Sequence, residues 1–413
     1  MSFGPRMVRY HAGMASRRNF LSTVASGLAT SLAAPASVLG SNSRIRVGII
    51  GPGSRGQELM RQALACENVE IAAAADIYTR RLEEAKGIAP QAKTFSDYRS
   101  ILDDPSIDAV LIATPQHLHC EHFVAALEAG KHVYLEKTMA FTVAHARKMR
   151  DAFRRASGRV VQIGHQSCAS GMMADALRFL AEEPMGKITA IHMTMYRNTP
   201  HGRPQWARPV YPDMTAENIV WKAFLGEAPD RPFDANRYIN WRFFWDYSGG
   251  NVYENMCHQI AFWYKALNLS IPRRATMTGG VYLWKDGREV PDTMCVTLEQ
   301  PEEMLISWNS GFGNDRLGSG EDVLGTDGTI QKASQIRYTP QRVNVKDRAD
   351  RLGTSRAPQH ALMEDFVRCI RNGGEPACPF DLGYRVSIAC RMAVESYRQG
   401  RSAAWNGQRE EIV

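Results

Sequence analysis

The amino-acid sequence predicts an α/β unit with a doubly wound parallel sheet, followed by an α+β unit built on a large, mostly antiparallel open sheet. Three observations carry this expectation. Short β-branched runs alternate with amphipathic helical stretches between Arg44 and Ile163, the rhythm of right-handed βαβ crossovers. A glycine-rich turn joins the first run to the first helical stretch. Beyond Gly186 the pattern shifts to longer alternating segments, punctuated by turns such as Asp286-Gly287 and Asp327-Gly328.

Taken in order, Ile45–Ile50 reads as a strand, Gly51-Pro52-Gly53-Ser54-Arg55-Gly56 as a turn, and the segment through Leu64 as a helix. A strand over Val69–Ala75 ends at Asp76, then a helix is expected over Thr79–Lys86 and an extended piece near Lys93–Phe95. The unbroken apolar run Ala109–Ala113 marks a buried strand. A helix over Glu121–Ala129, a strand over His132–Leu135, a helix over Val143–Ala156 and a strand over Val160–Ile163 continue the alternation. Later strands are expected over Ile188–Tyr196, Ala275–Leu283, Met294–Leu298 and Met304–Trp308, and closing helices over Gln359–Arg371 and Tyr384–Gln399. The expected organisation is residues 1–40 as an extension, 41–166 as a nucleotide-binding domain, 167–383 as a substrate and oligomerisation domain, and 384–413 as a C-terminal helix and tail.

The 413 residues are 44% hydrophobic and 23% charged, a balance that excludes a disordered chain, and the length excludes a single small module. The net charge of +7 invites a nucleic-acid or anionic-membrane partner. Its distribution argues otherwise, because residues 1–36 hold four Arg and no acid, leaving +3 elsewhere. Ser16-Arg17-Arg18-Asn19-Phe20-Leu21, the weakly apolar stretch after it and the small-residue stop Ala34-Pro35-Ala36 resemble a twin-arginine export signal. The resemblance implies recognition by the twin-arginine export machinery, a natural start at Met14, cleavage after Ala36 and a periplasmic protein exported folded. The stretch is too weakly hydrophobic for a permanent membrane span. The eight cysteines are scattered without zinc or disulfide spacing and read as small core residues.

The glycine turn follows a strand, opens a helix, and has Asp76 placed 20 residues after Gly56. That context makes it a dinucleotide-binding Rossmann fingerprint. Gly51 permits the tight turn, Gly53 the approach of a pyrophosphate to backbone N–H groups including those of Ser54 and Arg55, and Gly56 close helix packing. Asp76 suits ribose hydroxyls and repels a 2′-phosphate, which favours NAD; Arg55 and Arg80 keep NADP open as the lesser expectation.

Two further motifs leave the carboxyl ends of strands: Thr114-Pro115-Gln116-His117-Leu118-His119, and Ala129 to Thr138 with Glu136-Lys137-Thr138 at its end. Together with Gly249-Gly250-Asn251-Val252-Tyr253-Glu254-Asn255-Met256-Cys257-His258, the chain resembles the Gfo/Idh/MocA family of oxidoreductases from about Arg44 to Gly400. Glucose–fructose oxidoreductase-like and inositol dehydrogenase-like enzymes are members. Thr138 replaces the family's usual proline, which removes a turn constraint next to the lysine. Glu254 stands where the family commonly has Asp, and its i, i+4 spacing to His258 would put both on one helix face.

The resemblance implies that Lys137 lies beside the nicotinamide and the reacting hydroxyl, and that His258 transfers the proton. The chemistry agrees, since alcohol oxidation needs a base near neutrality and a fixed cation for the developing alkoxide. Glu254 is the third candidate catalytic residue, orienting His258 or touching substrate. Thr114, Pro115, His117, His119, Glu136 and Gln166 are expected at the cofactor, with His117 and His119 over the nicotinamide ribose; their i, i+2 spacing gives no metal site. His165 and Tyr238 are expected at the substrate, and Trp241 and Arg242 at the cofactor. The aromatic and basic crowding between Arg197 and Asp246 suits a carbohydrate-like ligand, and no stacking motif or basic run supports a nucleic acid.

The leading expectation is a periplasmic NAD-dependent oxidoreductase acting on a sugar or polyol, with tightly held cofactor and, by resemblance, a homo-oligomer. A redox-neutral, NAD-dependent glycosidase of the same family is the alternative within enzymes. A non-catalytic sugar or cofactor sensor is the alternative outside them.

Overall fold

The computed structural model describes residues 44–199, 203–356 and 360–413. The export-signal expectation lies outside the described residues. Six parallel strands form the first sheet: β1 (Ile45–Ile50), β2 (Val69–Ala75), β3 (Lys93–Phe95), β4 (Ala109–Ile112), β5 (His132–Leu135) and β6 (Val161–Ile163), in the order β3-β2-β1-β4-β5-β6. This is the doubly wound order whose switch point, between β1 and β4, opens a crevice at the strand ends. Helices α1 (Ser54–Leu64), α2 (Thr79–Ile88), α3 (His119–Glu128) and α4 (Val143–Arg155) belong to the crossovers. β4 is buried at every position, as a strand covered on both faces must be.

Helix α5 (Gly171–Glu182) leads into a ten-stranded sheet. Its strands are β7 (Ile188–Tyr196), β8 (Arg274–Gly280), β9 (Thr293–Gln300), β10 (Met304–Gly311), β11 (Ser319–Gly325), β12 (Gly328–Lys332), β13 (Ile336–Pro340), β14 (Arg351–Leu352), β15 (Ala403–Asn406) and β16 (Glu411–Ile412). The order is β14-β13-β12-β11-β7-β10-β9-β8-β15-β16, and only the central β7–β10 pair is parallel. Burial alternates along β9, so one face packs on helices while the other stays open. Cys295 lies on the open face and is exposed, which corrects the expectation that all eight cysteines are core residues.

Helices α6 (Cys257–Leu267), α7 (Ala361–Asn372) and α8 (Phe380–Gln399) fill the space between the sheets. The chain's late segment is sewn to the first sheet. Ile163 N–H donates to Cys378 O at 2.9 Å, and Gln162 Nε2 donates to Leu362 O at 3.0 Å. Phe380 stacks on Phe153 with centroids 4.6 Å apart, a geometry worth about 1 kcal/mol beyond area burial. The tail after α8 supplies β15 to the large sheet.

Between β7 and α6 a long excursion crosses back over the first domain. Tyr78 forms an isolated bridge with Ile219, Thr79 N–H donates to Asn218 O at 3.2 Å, and Arg80 and the Tyr78 hydroxyl both reach Asp213. Tyr78, Met214, Ile219 and Ile239 make a small core of their own beneath it. The excursion is therefore fixed within a few residues of Asp76.

Candidate active site

At the carboxyl end of β1, Gly51 adopts φ +83°, a left-handed conformation that glycine enters without steric cost. A Cβ on Gly56 would meet Gly51 O at 2.3 Å, so the close approach of α1 to the turn requires glycine there. Above Gly53 a Cβ would meet nothing within 4 Å, and no side chain caps α1 at this position. Uncapped first-turn N–H groups facing open space are what a pyrophosphate needs. A cleft of about 750 Å³ runs from Ser54 and Asp76 past Thr114 and Pro115 to Trp241 and Arg242. NAD fits this donor set.

Asp76 follows β2, where its Oδ1 accepts from Tyr78 N–H at 2.9 Å. Burial pushes its carboxyl up to about 7, against the pull of the Tyr78 N–H and the nearby Arg81. Arg55 and Arg80, the residues that left NADP open, are both engaged elsewhere. Arg55 Nε donates to Glu136 at 2.7 Å and its guanidinium pairs with Glu58 at 2.8 Å. Arg80 holds Asp213 through two nitrogens, at 2.8 and 2.5 Å.

Arg242, which lines the cleft, joins it to a buried charge cluster. Lys137 Nζ donates to Glu254 Oε2 at 2.9 Å, Arg242 Nε lies 3.1 Å from the same oxygen, and Gln116 Nε2 donates to Oε1 at 2.7 Å. Burial alone would raise the Glu254 carboxyl, but Arg242 and Lys137 overrule it and hold it at about 2. Burial likewise opposes the Lys137 ammonium, and Glu254 prevails, keeping its pKa above the usual lysine value. Gln116 was not among the expected site residues. Its polar side chain, 1% exposed between two flanking motifs, is the signal that only the structure reveals.

The Lys137–Thr138 peptide bond is cis, and Thr138 stands where the family resemblance would place proline. Thr138 replaces the ring with hydrogen bonds. Its hydroxyl donates to Tyr253 O at 2.8 Å, and its carbonyl lies 2.9 Å from His119 Nδ1.

His258 packs edge-on against His165, with centroids 5.4 Å apart. Burial, then the Lys137 charge, push both imidazoles down, His165 to about 3 and His258 well below its usual value. Both are neutral at physiological pH. Neither ring nitrogen of His165 has a hydrogen-bond partner among the described residues. Glu254 lies in Val252–Met256, one turn of π-helix, and its carboxylate pairs with Lys137 and Arg242.

Several other expectations need correction. His117 is buried with Nε2 2.7 Å from Phe224 O and its ring against Tyr247, so it supports the excursion rather than facing a ribose. His119 bridges Thr114 O and Thr138 O, at 2.9 Å each, and braces two loops from behind. Glu136 is taken by Arg55, and Gln166 accepts from Arg55 and donates to Gly164 O at 3.2 Å. Tyr238, expected at the substrate, stands at the Asp76 end of the cleft, edge-on to Tyr78 at 5.8 Å. Trp241 lies under the Arg242 guanidinium, 4.2 Å from ring centroid to carbon, at the cleft as expected. Phe224, Phe243, Phe244 and Tyr247 of the aromatic crowd form a core cluster.

A glycine turn for a pyrophosphate, a ribose carboxylate, and a lysine beside a neutral histidine pair define a nicotinamide-dependent oxidoreductase. Residues 45–165 match the model of the Gfo/Idh/MocA oxidoreductases, described as an NAD-binding Rossmann fold. Levoglucosan dehydrogenase of Pseudarthrobacter phenanthrenivorans is 26% identical over 375 residues, covering 82% of this chain and 87% of that protein. Inositol 2-dehydrogenase of Salmonella paratyphi B is 34% identical over 122 residues, covering 29% of this chain and 36% of that protein. A solved levoglucosan dehydrogenase in complex with NADH and levoglucosan superposes with a TM-score of 0.67 at 21% identity, over 87% of this chain and 99% of the other. Residues 45–165 thus match the NAD-binding Rossmann fold of the Gfo/Idh/MocA oxidoreductases, and the cofactor is of the NAD type.

Proposed function

We propose that the protein oxidises or reduces a hydroxyl-bearing carbon of a sugar or polyol, using an NAD that it holds tightly. The observation that carries this reading is the buried Lys137–Glu254–Arg242 cluster, whose Arg242 lines the same cleft as Asp76, with neutral His258 under the influence of Lys137. NAD, when bound, supplies the hydride acceptor. Lys137 binds the reacting hydroxyl oxygen and, as a fixed cation, stabilises the negative charge that builds there. His258 takes the hydroxyl proton, for which its neutral form is required. Glu254 positions Lys137 and keeps it charged. Gln116 and Arg242 position Glu254.

The substrate class rests on the relatives' names, a levoglucosan and an inositol dehydrogenase, and on hydroxyl-binding groups with aromatic faces near the cleft. The resemblance of Ser16–Leu21 and the stretch after it to a twin-arginine signal supports a periplasmic site of action, and folding before export would let the cofactor travel bound. Among the described residues no helix is long and apolar enough to cross a membrane. We infer self-association through the open face of the ten-stranded sheet, where His192, Cys295 and Leu305 are exposed.

The test is to denature the purified protein, assay released NAD, then offer sugars, polyols and aryl glycosides without added cofactor. Stoichiometric formation of reduced nicotinamide supports the oxidoreductase. Aglycone release without net reduction would replace it with the redox-neutral glycosidase. Ligand binding without turnover would replace it with a sensor.

A further inference from the structure

Arg55 belongs to the glycine turn and to the first turn of α1, but its side chain leaves both. From the end of β1 it reaches the residues that follow β5 and β6, across the carboxyl edge of the first sheet. Its Nε donates to Glu136 Oε1 at 2.7 Å, its Nη2 donates to Gln166 Oε1, and its Nη1 pairs with Glu58 at 2.8 Å. Burial opposes the guanidinium charge, and Glu136 outweighs it. A guanidinium whose three nitrogens are matched in this way is committed to the protein rather than to a phosphate.

Two of these partners border the reacting groups. Glu136 is 5% exposed, and its second oxygen, Oε2, accepts from the Lys137 N–H at 3.2 Å. A Cβ on Gly164 would meet Glu136 Oε1 at 2.9 Å, so the carboxylate rests on the backbone directly before His165. Gln166, directly after His165, donates to Gly164 O at 3.2 Å. Arg55 therefore fixes the backbone at Lys137 and on both sides of His165, whose ring packs on His258 at 5.4 Å. Such placement matters, because a shift of about 1 Å in a reacting group can cost about a hundredfold in rate.

We propose that Arg55 is a positioning residue for hydride transfer. Its side chain carries the geometry of the pyrophosphate turn through Glu136 and Gln166 to Lys137 and His165, while only its backbone N–H serves the phosphates. This rests on the NAD reading above and adds to it a physical link between the seat of the cofactor and the reacting groups.

The experiment uses the full chain and compares the parent with Arg55→Gln, Arg55→Lys, Glu136→Gln and the double variant R55Q/E136Q. Calorimetry after cofactor removal gives the affinities for NAD and ADP-ribose. Turnover is read at saturating NAD with the sugar or polyol that the parent turns over fastest. R55Q is expected to lower kcat by about tenfold to a hundredfold while NAD and ADP-ribose affinities stay within about threefold. R55K keeps the charge but loses the fork, and should recover part of kcat. E136Q should match R55Q, and the double variant should be no slower than either, because the pair acts as one unit. R55Q leaves a buried carboxylate unpaired and can fail to fold; the double variant leaves neither charge behind, so it decides the matter on its own. A larger fall in ADP-ribose affinity in R55Q or the double variant overturns the proposal and makes the guanidinium a phosphate ligand. Parent kcat in the folded double variant also overturns it, and reduces the pair to a stabilising contact. A parent that binds no dinucleotide, or binds it and turns over no sugar or polyol, removes the reaction reading itself, a result separate from any difference among the variants.

Discussion

Lys137 and Glu254 meet 2.9 Å apart across the two domains, one at the end of a parallel strand and the other in a π-helical turn. Each sets the other's ionisation. The pair is buried, and Glu254 also faces Arg242, so the carboxylate serves two cations.

Removing the carboxylate charge should therefore act through lysine. Glu254→Gln is expected to lower kcat by about tenfold to a hundredfold, the scale of a lost charge-assisted contact, while NAD affinity stays within a few-fold. Because Glu254 holds the Lys137 pKa up, its loss should also move the alkaline limb of the pH–rate profile to lower pH. An unshifted alkaline limb would separate Lys137 from that limb. Glu254→Asp, which keeps the charge, should recover part of both effects.

The glycine turn separates fold from ligand. Gly56→Ala drives a Cβ to 2.3 Å from a backbone oxygen and should destabilise the protein by a few kcal/mol, about the range for core overpacking. Gly53→Ala meets nothing in the protein, so its melting temperature should stay at the parent value while NAD affinity falls. Thermal melts with and without NAD decide this; a destabilised Gly53→Ala would mean that the turn is tighter than described.

Specificity between cofactors should depend on pH. The Asp76 carboxyl, raised to about 7 by burial, is charged above that value and neutral below it. Discrimination against NADP should weaken as pH falls from 8 to 6, and Asp76→Ala should remove the dependence. Affinity ratios for NAD and NADP across that range check it.

Stability should fall as the pH drops below about 6.5. His117, His122 and His165 are held neutral by burial, with pKa values pushed down to about 4, 3 and 3. A histidine whose folded pKa is depressed contributes stability that is complete above the unfolded value near 6.5 and is lost as pH drops toward the folded value. Melting temperature should decline through that window, and His122→Phe, which fills similar space, should flatten the slope.

Much of the first domain was legible because a parallel sheet buries its strands on both faces. β1, β2, β4 and β5 are short, mostly apolar runs, and the expected limits lie within a residue of the observed ones. The second sheet was less readable. β11 carries Glu321, which looks solvent-facing in sequence but is buried against Trp263, Gln259 and Lys332, so its alternation is hidden. β8 stops at Gly280 rather than Leu283 because Asp292 takes the N–H groups of Tyr282, Leu283 and Trp284, a contact from 8 to 10 residues away. At the site, Lys137, Glu254 and His258 were found from their motifs. Which partner each would choose was not, because the π-turn at Val252–Met256 and the pairing of Glu136 with Arg55 depend on long-range packing.

In the proposed reaction a held NAD takes a hydride from a sugar or polyol beside Lys137 and His258. The most direct measurement is a single-turnover reaction of the protein as purified, mixed with candidate sugars and polyols and followed by the absorbance of reduced nicotinamide. The account predicts a rise that matches the bound NAD released on denaturation, abolished in His258→Ala and Lys137→Ala although both still hold cofactor. Bound NAD that no such substrate reduces, or reduction that persists in both variants, would contradict it.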